Sequence, residues 1–95
     1  MDKSEIKKEF QERFLALRKI INSWNLISGS PKDEFDTLNH QILSHLYKEA
    51  DFEKIKLILE NTLIVTYGLT VDSEDLNSFS KEIIEWWNLY DSIYG

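Results

Sequence analysis

The chain has no cysteine, which excludes disulfides and thiolate metal sites and fits a reducing compartment. Glycine and proline are almost as scarce. Three glycines stand alone at positions 29, 68 and 95, too dispersed for a phosphate-cradling loop, and the one proline is Pro31. No apolar run approaches the ~18 residues that a membrane span requires. The start, Met1-Asp2-Lys3-Ser4-Glu5, is charged and lacks the apolar stretch of a signal peptide. These absences predict a cytoplasmic protein that does not enter a membrane. Positive charge is also in deficit: 11 Lys and Arg face 17 Asp and Glu, a net charge of −6. The first 20 residues carry a balance of +2 and the rest of the chain −8. A chain so acidic repels phosphate backbones, so nucleic acid is an unfavourable partner and a basic protein a natural one. Acidity also serves solubility alone in many small proteins.

What is present is helical periodicity. At 95 residues and 42% apolar composition, the chain is expected to form one domain, residues 1–95, around a single core. Ile6, Phe10, Phe14, Leu17, Ile21 and Trp24 recur every three or four residues and predict an amphipathic helix over about 4–24. Lys7, Lys8, Glu9, Glu12, Arg13 and Arg18 are expected on its other faces. Ser30-Pro31-Lys32-Asp33 reads as a helix start, with Ser30 as cap and Pro31 in the first position. Phe35, Leu38, Ile42 and Leu46 follow as the buried stripe of a second helix ending near 48–50. Asp51 is placed to cap a third helix, whose face comprises Phe52, Ile55, Ile58, Leu59, Thr62, Leu63 and Thr66. Leu57, Ile64, Val65 and Tyr67 lie outside that face. A helix apolar nearly all round is expected at the centre of a fold, and Gly68 supplies its stop. A fourth helix, capped by Asp72 or Ser73, carries Leu76, Phe79, Ile83, Trp86, Tyr90 and Ile93. The predicted fold is all-α, a compact antiparallel bundle of about four helices.

Catalytic groups are few, and the expectation is a protein that is not an enzyme, with no cofactor. No serine sits in a nucleophile-elbow context. The two histidines, His40 and His45, are about 140° apart on a helix and cannot meet on one ion. Asp36 with His40, and His45 with Glu49, are (i, i+4) pairs with the geometry of half a metal site, and each lacks further ligands. Asp33, Glu34 and Asp36 cluster where the second helix begins. Position alone accounts for them through the helix dipole, and the functional alternative is a cation site or a docking patch for a basic partner. In the last helix Trp86 and Trp87 cannot face the same way. One is expected inside, while Trp87 with Tyr90, Asp91 and Tyr94 forms an aromatic-acidic surface suited to a protein partner.

Trp24-Asn25-Leu26-Ile27 followed by Pro31-Lys32-Asp33-Glu34-Phe35-Asp36 resembles the Trp-Asp-Pro-Ile/Leu … Pro-x-Asp-Glu-Tyr-Asp pattern of the YugE-like family of small helical bacterial proteins. Asn25 and Leu26 stand in place of that family's Asp-Pro, and Phe35 in place of its Tyr. The resemblance implies a helical fold and supplies no catalytic residues. Similar patterns occur among immunity proteins encoded beside bacterial toxins, which implies toxin neutralisation as one role. The combined expectation is a protein-binding module of immunity type, masking a basic toxin domain through Asp33, Glu34, Asp36, Trp87, Tyr90, Asp91 and Tyr94. The alternatives are a small-ligand or metal-binding protein using Asp33, Asp36 and His40, and a structural homodimer.

Overall fold

A computed structural model describes residues 3–94, with side chains placed for residues 8–89. Four α-helices and no strand occur among them: α1 (Lys3–Ser23), α2 (Asp36–Tyr47), α3 (Phe52–Glu60) and α4 (Ser73–Tyr94). A π-helical segment, Asn61–Thr66, continues α3. The all-α class that the periodicity indicates is the class observed. No helix among the described residues is long and apolar enough to cross a membrane. By its internal packing the chain divides into two compact units, residues 1–43 and 44–95.

In the first unit α1 and the start of α2 run antiparallel. Arg18, Phe14 and Phe10, descending α1, meet Asp36, Asn39 and His40, ascending α2. Leu17, Ile21, Phe35, Leu38, Ile42 and Leu43 are buried, each worth about 1.5–3 kcal/mol against exposure. Arg13, expected on an outer face, is buried at 6% exposure with its guanidinium 2.6 Å from Glu9. The reason is angular. Residue 13 lies only about 40° from Leu17 and about 20° from Ile20 around the helix, inside the apolar stripe.

The link between the helices departs from its predicted form. Asn25, with φ of 54°, takes the left-handed position after α1, and its N–H donates to the Asn22 carbonyl (3.2 Å). Asparagine tolerates that conformation better than other non-glycine residues, so the polar residue at 25 is a helix stop. Ser30-Pro31 does not start α2. Residues 31–36 wind in three-residue turns, Glu34 N–H to Pro31 C=O (3.2 Å) and Asp36 N–H to Asp33 C=O (3.1 Å). The first four-residue bond is Asn39 N–H to Phe35 C=O (2.9 Å), which makes Phe35 the capping position. Asn22 fastens this loop to α1 by donating its side-chain amide to the Lys32 carbonyl (3.0 Å).

The second unit is built from helix ends that match the sequence closely. α2 stops in a Schellman motif: Ala50 N–H donates to His45 C=O and Glu49 N–H to Leu46 C=O, both at 3.0 Å. Glu49 sits in the left-handed position at φ of 64°. Asp51 caps α3 by accepting from the Lys54 N–H (2.9 Å), and Asp72 caps α4 by accepting from the Asp75 N–H (2.9 Å). α3 packs against α4. Leu46, Ile55, Leu59, Leu63, Leu76 and Ile83 are buried. Ser80, also buried, returns its hydroxyl to the Leu76 carbonyl (2.7 Å) rather than seeking a partner elsewhere.

The π winding after α3 corrects two expectations. Thr66, assigned to the buried face, is exposed. The helix is also not covered all round: Leu57, Ile64 and Val65 are 49%, 40% and 77% exposed. Tyr67 N–H donates to Thr62 C=O, five residues back, and Leu69 N–H to Leu63 C=O, six back (3.1 and 2.9 Å). This is a helix stop widened by one residue, closed by Gly68 at φ of 67° as the sequence indicated.

Candidate functional site

The acidic cluster at the start of α2 is partly an internal device of the first unit. Asp36 is half-buried and does not point outward as expected. Its two carboxylate oxygens accept from Arg18 Nε (3.0 Å) and NH2 (2.6 Å), a bidentate pair between α1 and α2. Hydrogen bonding to Asp36 holds the Arg18 guanidinium above its ordinary pKa; partial burial opposes this, and the charges of Asp36 and Asp33 add to it. Arg18 also stacks over the Phe14 ring at 5.5 Å. Asp33 and Glu34 remain exposed. The turn that delays α2 is what brings Asp36, and not Asp33, level with Arg18.

Neither histidine pair forms the half-site that its spacing suggests. A cation on Asp36 would have to displace the Arg18 guanidinium. His40 is exposed and lies edge-on to Phe10, ring centroids 5.8 Å apart. Glu49 lies beyond the end of α2 in the left-handed conformation, so it does not share a helical face with His45. Among the described residues no group of three His, Cys, Asp or Glu could hold a metal ion. A cleft of about 160 Å³ opens under the 25–35 loop, bordered by Ile21, Leu26, Ile27, Pro31 and Phe35 with Asn22 at its polar edge. Its volume is enough for a few waters and falls short of the roughly 300 Å³ at which small-molecule sites begin.

The aromatic surface of the second unit is only partly where it was expected. Trp86 and Trp87 are both half-buried, in place of one inside and one out. They touch each other at 6.0 Å between centroids, and Tyr47 meets Trp87 edge-to-face at 5.1 Å. Edge-to-face pairs of this kind add about 0.5–1.5 kcal/mol to the area they bury. Trp87 is therefore in part structural, with Tyr47 the more exposed edge of the cluster. The expected side chains of Tyr90, Asp91 and Tyr94 lie outside the described residues.

Two features escaped the sequence reading. Arg18 as the partner of Asp36 left no signal, since the residues are 18 apart and the loop geometry decides the match. Leu57 did leave one: it lies about 160° from each of Ile55 and Leu59, a direction the same helix cannot bury with them. Compared with models of protein families, with curated proteins and with solved structures, the chain finds no match.

Proposed function

We propose that this protein is a non-catalytic binding module for a basic protein partner, most concretely an immunity-type protein that covers a basic toxin domain. The observation that carries the reading is where the charge sits. Residues 44–95 hold ten carboxylates against four lysines, a balance of −6, while residues 1–43 hold seven of each sign. The whole net charge belongs to one compact unit. That unit also exposes apolar and aromatic side chains, the combination from which interfaces draw affinity and steering. The resemblance of residues 24–36 to helical bacterial proteins, some encoded beside toxins, supports the same reading.

Affinity capture from the source cells at low salt, repeated at high salt, tests it. The expected result is a basic protein retained at low ionic strength and released as salt rises. Recovery of no protein, or of an acidic one held equally at both salts, overturns the reading. The alternative of metal binding through Asp33, Asp36 and His40 predicts a rise in melting temperature with millimolar Zn, Mn or Ca. The engagement of Asp36 by Arg18 weighs against it.

A further inference from the structure

We infer that the cleft beneath the 25–35 loop binds a small neutral aromatic molecule, a single ring with one hydrogen-bonding group, of which phenol is the simplest. This goes beyond the function proposed above and does not rest on it. Every residue bordering the cleft belongs to the first unit.

Size sets the first limit. At about 160 Å³ the cleft is too small for a drug-sized ligand, but an apolar cavity of about 150 Å³ holds one benzene ring. Folded interiors are close-packed with few voids larger than a water, so an opening for a whole ring needs a cause. The loop supplies it. Ser30 N–H donates to Ile27 C=O (3.3 Å) across a tight turn in which Gly29 is left-handed, at φ of 77°. Pro31 has a fixed φ and biases Ser30 towards extended backbone, so residues 27–31 form a stiff turn and continue neither helix. The Asn22 amide, donating to the Lys32 carbonyl (3.0 Å), ties the far side of the loop to α1. Buried Ile21 and Phe35, with half-buried Leu26 and Ile27, give a ring apolar walls that are already in place.

The edge of the cleft sets the second limit. The Asn25 amide and the Ser30 hydroxyl border it, and neither side chain makes a hydrogen bond among the described residues. Asn22 uses only its amide nitrogen and keeps an acceptor oxygen. These groups offer donors and acceptors without charge, the complement of a neutral hydroxyl. Lys32 is the one ionisable residue on the border, and exposed Asp33 and Glu34 follow it directly. One cation beside two carboxylates favours neither a strong anion nor a strong cation. Asp36 is engaged by Arg18 and does not border the cleft. A charged ring would also give up hydration against apolar walls. Benzene fits the walls but leaves the polar edge unused.

The test titrates the full-length 15N-labelled chain separately with phenol, benzene, benzoate and N-acetyltyrosinamide. Phenol is expected to shift amides centred on 21–35 and to saturate with a Kd of about 1 mM or tighter. Benzene should shift the same amides and bind about fivefold more weakly, the worth of one net hydrogen bond. Benzoate and N-acetyltyrosinamide should also bind more weakly than phenol. In the double variant Asn25→Gly/Ser30→Ala, glycine suits the left-handed backbone at 25 (φ of 54°), so the helical circular dichroism should be kept. Its phenol affinity should fall at least about fivefold while its benzene affinity stays as in the parent. No saturable shift by about 10 mM phenol, or shifts centred outside 21–35, leaves the cleft to water and overturns the inference. Benzene binding as tightly as phenol, benzoate binding more tightly, or phenol affinity unmoved in the double variant overturns the ligand class. Tighter binding of N-acetyltyrosinamide than of phenol assigns the cleft to a tyrosine of another protein and likewise overturns it. None of these outcomes bears on the basic partner proposed above.

Discussion

Two helices of the second unit end in the same left-handed conformation with different residues, and exchanging the chemistry should move stability in opposite directions. Glu49 closes α2 at φ of 64° and Gly68 closes the π segment at φ of 67°. For a residue with a Cβ, the left-handed region costs about 1–2 kcal/mol, because Cβ crowds the following carbonyl oxygen. Glycine avoids this but loses about 0.5–1 kcal/mol more chain entropy on folding. Glu49→Gly therefore gains about 1 kcal/mol net, helped slightly by removing an anion from the negative end of α2. Gly68→Ala loses about the same. A Cβ built at Gly68 meets nothing within 4 Å, so the loss is conformational and not steric. For a chain of this size 1 kcal/mol moves the melting temperature by about 4–8 °C. Urea unfolding followed by tryptophan fluorescence measures both variants. If Glu49→Gly unfolds at lower urea than the parent, the left-handed strain assigned to Glu49 is wrong.

Three further outcomes are expected. Phe35→Ala should cost about 3–5 kcal/mol, because Phe35 is 5% exposed. Trp24→Ala, equal to it on sequence grounds, should cost about half as much, since Trp24 is half-buried and follows the end of α1; equal losses in urea titrations would contradict this ranking. Asn39 is buried, donates its amide to the Phe14 carbonyl at 2.9 Å and leaves Oδ1 without a hydrogen-bond partner. Asn39→Ala should cost about 1–3 kcal/mol, and Asn39→Leu, which fills the volume and removes the unpaired oxygen, clearly less; the reverse order in denaturation would refute it. The raised pKa of Arg18 gives stability that is fully present below the ordinary guanidinium pKa and lost only as pH climbs through the higher folded value. The gap in melting temperature between the parent and Arg18→Gln should therefore stay constant from about pH 6 to about pH 10, and a gap that closes over that range would sink the assignment.

The helix ends and buried stripes were legible because each is decided within one turn of chain. Asp51 and Asp72 cap the helices they precede, Gly68 stops where glycine must, and Leu38, Ile42, Leu59 and Ile83 are buried where their spacing puts them. The misses arise where a choice depends on something further away. Ser30-Pro31 carries a good helix-start pattern, yet the Arg18–Asp36 pair and the Asn22–Lys32 bond accompany a run of turns and a helix that begins at Asp36. Arg13 looked like a surface cation by residue type, although its angle on α1 already placed it among Leu17 and Ile20. The candidate site was the least legible part. Charge shows only that carboxylates crowd the second half of the chain, and the outward turn of Val65 goes with a change of helical pitch that no residue between 61 and 66 announces.

That change of pitch also alters what the chain can tolerate in length. Ordinarily, removing one residue from a helix rotates everything after it by a quarter turn or more and misaligns the core. Six residues of π winding sweep roughly the angle of five in α form, so the segment holds one residue more than its span needs. Losing Asn61 would let the turn relax to α winding with Leu63 still inward, Val65 still outward and the Gly68 stop unmoved. The segment is a place where this protein can shorten by one residue while the core on either side keeps its register.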